Sequence, residues 1–155
     1  MSDQPSFDIN EAHIHFSVES FNSAWTYIEQ DAVRTPDEDL AMLHAAIVSL
    51  WHWSHRADVR PENLSVAYWQ VSRVFNLIRQ PNNARTYGLL ALKYAEFLEP
   101  FFKAYAYETL ARSEMLAGNR VIMLVYLDKA HSMAKLIKNE EDRELLLKDL
   151  DSIPR

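Results

Sequence analysis

The hexapeptide WHWSHR, residues 51 to 56, sets two tryptophans and two histidines within six positions. Imidazoles bind transition metals and move protons near neutral pH, so this density is the first place to look for chemistry. His52 and His55 are three apart, and on a helix that spacing lets both rings touch one ion. A first coordination shell needs a third ligand converging at ~2 Å, for which His131 is the candidate, giving a metal-dependent helical-bundle enzyme as one reading. His44 and His55 align on the same side but stand ~16 Å apart along the axis, too far to share an ion. No HExxH and no Glu-x-x-His pair accompanies them. The simpler reading, and the preferred one, is that the tryptophans fill a core and the histidines sit at helix edges.

Other catalytic chemistry finds few residues to use. There is no glycine-rich phosphate loop, no GxSxG and no cysteine. Glu96, Glu99 and Glu108 are scattered acids, and Ser65, Ser72 and Ser113 have no base beside them in sequence.

The elements that position these residues read as helices throughout. Thr35 is an N-cap, Pro36 takes the first helical position and Glu38 completes a capping box. Before it, residues 10–30 carry Phe16, Phe21, Ala24, Trp25 and Ile28 at helical spacing. Pro61 opens a third helix with Leu64, Tyr68, Val71, Phe75 and Ile78 on one side, stopped at Gln80-Pro81. A fourth is predicted over residues 82–99, a fifth from Pro100 to Gly118-Asn119, a sixth ending near Asn139 and a seventh capped by Asn139. The second helix is apolar nearly all round, so it is expected in the middle of the fold. Small residues at 45, 46 and 49 allow a close helix neighbour, and Gly88 inside a helix marks another close crossing. The ends, residues 1 to 8 and 154 to 155, are expected to be loose.

Composition agrees. The chain has 155 residues, 48% of them apolar, with only two glycines and six prolines, which leaves few positions for tight hairpin turns. Sixteen basic against 22 acidic residues give a net charge of -6, which repels a phosphate backbone and argues against nucleic acid. No apolar run approaches the ~20 residues of a membrane span. No secretory signal pattern is read in MSDQPSFDINEAH, and a cytoplasmic location is expected.

An offset of 39 pairs Tyr68 with Tyr107, Val71 with Leu110, Ser72 with Ala111, Arg79 with Gly118, Gly88 with Leu127 and Ala91 with Ala130. Tyr107, Leu110, Ala111, Gly118, Met123, Leu127 and Ala130 resemble the tetratricopeptide pattern, although the unit exceeds the usual ~34 residues and lacks its closing proline. The runs YWQVSRVFNLIRQPNNARTYG, AYAYETLARSEMLAGNR and EDRELLLKDLDSI resemble an uncharacterised bacterial family of small helical, tetratricopeptide-repeat-like proteins, over roughly residues 12 to 153. That family brings no activity with it.

The resemblance implies an all-α domain over residues 9–153, with antiparallel helical hairpins stacked as a short right-handed solenoid of about seven helices, the last covering the stack. In that register Trp69, Arg73 and Asn76, then Tyr105, Glu108 and Arg112, line a concave wall together with Val66 and Met115. Trp69 and Tyr105 would serve as flat anchors, and Arg73 and Arg112 as forks for a carboxylate. The alternative for Glu108 and Arg112, four apart, is a pair along one helix. The expected function is therefore a non-catalytic protein interaction or scaffolding module, with no cofactor, whose partner is a protein, a peptide or a second copy of the chain as a homodimer.

Overall fold

The computed structural model describes residues 6–155, and no strand occurs among them. Seven helices run α1 Ile9–Ile28, α2 Pro36–His55, α3 Pro61–Leu77, α4 Pro81–Tyr94, α5 Pro100–Leu116, α6 Arg120–Ala134 and α7 Glu140–Asp151. The expectation of loose residues 1 to 8 lies, for 1 to 5, outside the described residues. Asp8 is instead the N-cap of α1, accepting from Glu11 N–H.

Helix starts follow local chemistry. Helices α2 to α5 all begin on proline, whose missing N–H is no loss at that position. The Thr35/Glu38 capping box is closed in both directions, at 2.7 and 3.2 Å. Asn139 caps α7 through Asp142 N–H. Two ends differ from expectation. Helix α4 stops at Tyr94, not near 99: the Ala95, Glu96 and Leu98 N–H groups bond three residues back in tighter turns, and Glu99, before Pro100, is extended at ψ 149°. Helix α6 stops at Ala134, where tighter bonds from Leu136 and Ile137 N–H turn the Ile137 side chain into the core.

Consecutive helices pack in pairs as a helical solenoid, and α1, α3, α5 and α7 also touch in that order, so they share one face. The 39-residue offset is built into the geometry: it carries Pro61 to Pro100 and Leu77 to Leu116, the ends of α3 and α5. Tyr68 and Tyr87 have ring centroids 6.1 Å apart, and so do Tyr107 and Tyr126. Both helices also close the same way. Arg79 at φ 61° and Gly118 at φ 76° turn left-handed, and the next N–H groups, of Gln80 and Asn119, reach back to Phe75 and Glu114 carbonyls. Only glycine takes that conformation without cost, so Arg79→Gly is expected to stabilise the fold by about 0.5–1 kcal/mol, and Gly118→Ala to destabilise it by about 1 kcal/mol, in urea melts.

Two apolar clusters form the core. One joins α1 to α4 around Met42, Val71 and Val74, and the other joins α5 to α7 around Met123, Leu127, Leu146 and Leu150. Between them runs a buried polar seam in which Ser72 Oγ meets Thr109 Oγ1 at 2.7 Å and Asn76 Nδ2 donates to the Thr109 carbonyl at 3.0 Å. Gly88 lies at this seam. A β-carbon there would meet Leu110 Cδ2 at 2.9 Å and Ser72 Oγ at 3.2 Å, so the close crossing is with α5 and α3.

Helix α2 does not sit in the middle. It packs on α1 and α3 only, through Met42, Ala46, Ser49 and Leu50, while Leu40, Val48 and Trp51 face outward. The small residues do admit a close neighbour: Ser49 Oγ donates to the Ser17 carbonyl of α1 at 2.8 Å.

Candidate functional site

The histidines of WHWSHR gather a third imidazole, but from α1. His13 Nδ1 lies 2.9 Å from His52 Nδ1, and its ring stacks on His55 with centroids 5.5 Å apart. Trp51, half exposed, packs against all three rings instead of filling the core. His131 is on α6, which makes no contact with α2, so the trio His52, His55 and His131 is not assembled. Nor do three histidine or acid side chains converge as a metal site anywhere among the described residues. His55 Nδ1 is engaged by the Trp51 carbonyl at 2.7 Å, and His13 and His52 face each other, so one ring must donate and the other accept.

That facing pair makes the α1–α2 contact sensitive to acid. Burial, then the His13 and His55 rings, hold His52 below the ordinary imidazole range. Because its folded pKa is depressed, the neutral ring's contribution is fully present above the unfolded value of about 6.5. It is lost as pH falls through that value toward the lower folded one. The melting temperature is therefore expected to drop from pH 7.5 to pH 5.5, and to drop less in His52→Leu, with Trp51 fluorescence reporting the same transition.

An apolar cleft lies elsewhere, on the shared face of the odd-numbered helices. It holds about 410 Å³ and is walled by Phe21, Trp25 and Glu29 from α1 and its C-cap, Ser65, Val66 and Trp69 from α3, Phe101, Phe102 and Tyr105 from α5, and Leu145 and Asp149 from α7. The rings form one continuous chain. Trp25 to Trp69 is 5.8 Å, Trp69 to Tyr105 5.4 Å, Tyr105 to Phe101 5.0 Å and Phe101 to Phe102 5.5 Å between centroids. A second hollow of about 280 Å³ shares Phe21, Val66 and Phe102 with the first and extends it to Val18, Trp53, Glu62 and Asn63. Together they make an elongated, mostly apolar trough with its polar groups at the edge, the usual make-up of a binding site.

The expected wall residues divide between the trough and the layer beneath it. Trp69 and Tyr105 line it. Asn76, Glu108 and Arg112 are buried, and Arg73 is mostly so. Asn76 Nδ2 is committed to the Thr109 carbonyl and Oγ1. Arg112 Nε binds Glu108 Oε1 in a short ion pair, while its Nη2 donates to the Asp149 carbonyl at 2.9 Å and to Ser152 Oγ at 2.8 Å, tying down the end of α7. Glu108 also accepts from Trp69 Nε1 at 3.3 Å, and Arg73 reaches the same carboxylate only at 3.9 Å. Burial lowers the Arg73 pKa from its ordinary value, with Glu108 opposing. Tyr105 is held well above the usual phenol range, by burial first and then by Asp149, to which its hydroxyl donates at 3.0 Å. These side chains set the trough's floor and hold its rings in place, and the phenol is no base near neutral pH.

Phe21, Trp25 and Glu29 were not among the sequence candidates, although their i, i+4, i+8 spacing places them on one stripe of α1. Leu145 and Asp149 on α7 show the same spacing. No helix of the described residues is long and apolar enough to cross a membrane. Compared with known proteins, the chain matches no family model, no curated protein and no solved structure.

Proposed function

We propose that the protein is a non-catalytic interaction module that holds a polypeptide segment of a partner in the aromatic trough. The observation that carries this reading is the unbroken row of rings from Trp25 through Trp69 and Tyr105 to Phe102, supplied by three separate helices and left open to solvent at its mouth. Large flat side chains on rigid elements give much contact area for little ordering entropy, which is why they dominate binding hot spots. Several further features support the reading: the tetratricopeptide-like register, the offset repeat and the shared face of the odd-numbered helices are those of a stacked helical binding scaffold. With the resemblance to a bacterial tetratricopeptide-repeat-like family goes a proposed setting in the bacterial cytoplasm, with a separate protein as the proposed partner and a second copy as the alternative.

The test is selection from a display library of random dodecapeptides, followed by titration of the selected peptides. Wild-type protein is expected to yield peptides with saturable binding, and Trp69→Ala to weaken them by tenfold or more, about 1.4 kcal/mol. Binding that is indifferent to both Trp69→Ala and Trp25→Ala would place the interaction elsewhere and sink the proposal.

A further inference from the structure

The trough is one-signed. Its larger hollow is lined by two carboxylates, Glu29 and Asp149, its smaller one by a third, Glu62, and no lysine, arginine or histidine lines either. An apolar pocket meant for an anion, or for a neutral group, has no use for acids alone at its edge.

Local helix chemistry sharpens the point. Glu62 stands in the first turn of α3, where the helix dipole welcomes a negative charge, so its presence there needs no ligand. Glu29 is the opposite case. It is the C-cap of α1, beside the carbonyl end of that helix; the last turn of α1 contains no basic residue, and the Arg34 guanidinium, which donates to the Tyr27 carbonyl at 3.3 Å, offsets that end only in part because it is also paired with Asp39. Asp149 is in the last turn of α7, an end that Lys148 and the Arg112 bond to the Asp149 carbonyl offset. The ends of these two helices thus each bring a carboxylate to one aromatic cleft.

The cations nearby do not cancel this. Arg112 is committed to Glu108 and the end of α7, and Arg73 stands off the wall at 3.9 Å from Glu108. Arg112 is paired with Glu108 and the Asp149 carboxylate accepts from the Tyr105 hydroxyl, while Glu29 has no ion-pair partner among the described residues. The trough's aromatic faces favour a cation as well, and the chain already uses one so: the Arg56 guanidinium lies 4.0 Å above the ring of Trp53, a residue of the smaller hollow.

Resting on the reading of the trough as a peptide site, we propose that its occupant is a segment carrying a lysine or arginine among apolar side chains, with the cationic group beside Glu29 and its stem on the indoles of Trp25 and Trp69. A polypeptide fits better than a small amine because the two hollows share Phe21, Val66 and Phe102 and run into one another, so the site is long and crosses several helices. A lysine or arginine stem buries its methylenes on apolar rings while the charged head stays at the wet, acidic rim.

The experiment uses the full chain and four pools of end-capped, dye-labelled nonapeptides, with apolar residues randomised around a fixed central lysine, arginine, norleucine or glutamate. Fluorescence polarisation is read at low and at high salt. The lysine and arginine pools are expected to bind about tenfold tighter than the norleucine pool, and the glutamate pool weakest. Glu29→Gln should bring the lysine pool down to the level of the norleucine pool measured on the same variant. Glu29 is exposed, so this substitution leaves the fold intact, as circular dichroism would verify. Salt should weaken only the basic pools. Norleucine binding equal to lysine, with both lost in Trp69→Ala, would overturn the cation assignment and leave the peptide site standing. Displacement of no pool by Trp69→Ala, or binding of benzyltrimethylammonium without any pool, would overturn the peptide site itself.

Discussion

Replacement of Arg112 by methionine is expected to lower stability by about 3–5 kcal/mol, the range for stripping one partner from a buried ion pair. The exposure decides the magnitude. An i, i+4 pair on a wet helix surface is worth only about 0.3–0.5 kcal/mol. Here the Glu108 side chain is 1% exposed and the Arg112 side chain 10%, so the carboxylate left behind has no water to turn to. Trp69 Nε1 and the distant Arg73 remain, and neither replaces a direct guanidinium contact. The same change removes both donors that hold Asp149 O and Ser152 Oγ, so α7 should be the first element to open. Hydrogen exchange would show this as protection lost in residues 140–151 at denaturant concentrations where α3 is still protected. The double variant Glu108→Leu, Arg112→Met is expected to recover most of the loss, because a buried pair replaced as a unit costs little. If the double variant were no more stable than Arg112→Met, the deficit would come from the lost α7 contacts and not from a stranded charge.

This residue shows where sequence reasoning reaches and where it stops. The spacing of Glu108 and Arg112 made a helical pair one of two readings, because four residues along a helix is a local fact. That Arg112 also ties α7 down is not local: Ser152 is 40 residues away, and nothing in the intervening sequence marks the contact. The same division runs through the fold. Proline starts, the Thr35 box, the Asn139 cap and the left-handed Gly118 are decided by neighbouring residues, and the helices stand where those residues put them. The offset of 39 foresaw Arg79 as the counterpart of Gly118 even though arginine is a poor residue for that backbone. By contrast, an all-round apolar pattern misplaced α2, because amphipathicity says how much of a helix is greasy and not whether a neighbour exists to cover it. With no neighbour beyond α1 and α3, Trp51 was left outside to stack on histidines.

The trough divides the same way. Trp69 and Tyr105 came from the repeat register, which assigns the first helix of each hairpin. Trp25 belongs to the irregular first hairpin and Asp149 to the covering helix, so no register pointed at either. The third histidine was misassigned for a related reason. His13 is 39 residues from His52 and lies on the neighbouring helix, so the antiparallel pairing of α1 with α2 selects it over His131 on α6, which makes no contact with α2.

The second large effect concerns a buried acid with no sequence signature, Glu114. It is on α5 with its side chain 3% exposed, and Arg85 of α4 grips it through two bonds, at 2.5 and 3.0 Å, with Asn119 adding a third at 2.7 Å. Arg85 first, then Asn119, hold this carboxyl below the ordinary range against the opposing pull of burial. With the folded pKa depressed, the pair's contribution is fully present above the unfolded value of about 4.3 and is lost as pH falls through the folded one. Arg85→Met is expected to cost about 2–4 kcal/mol at pH 7, at or just below the range for a fully enclosed pair because the Arg85 side chain is 29% exposed and Asn119 stays in place. It should also reverse the sign of the pH response. Without the guanidinium, burial becomes the leading influence and the carboxyl binds a proton more readily folded than unfolded, so the variant gains stability on acidification where the wild type loses it. The gap between the two proteins in urea midpoint should therefore narrow from pH 7 to pH 4.5. A gap that stayed constant would mean that the arginine's stem, packed across α4 and α5, supplies the stability and that its charge contributes little.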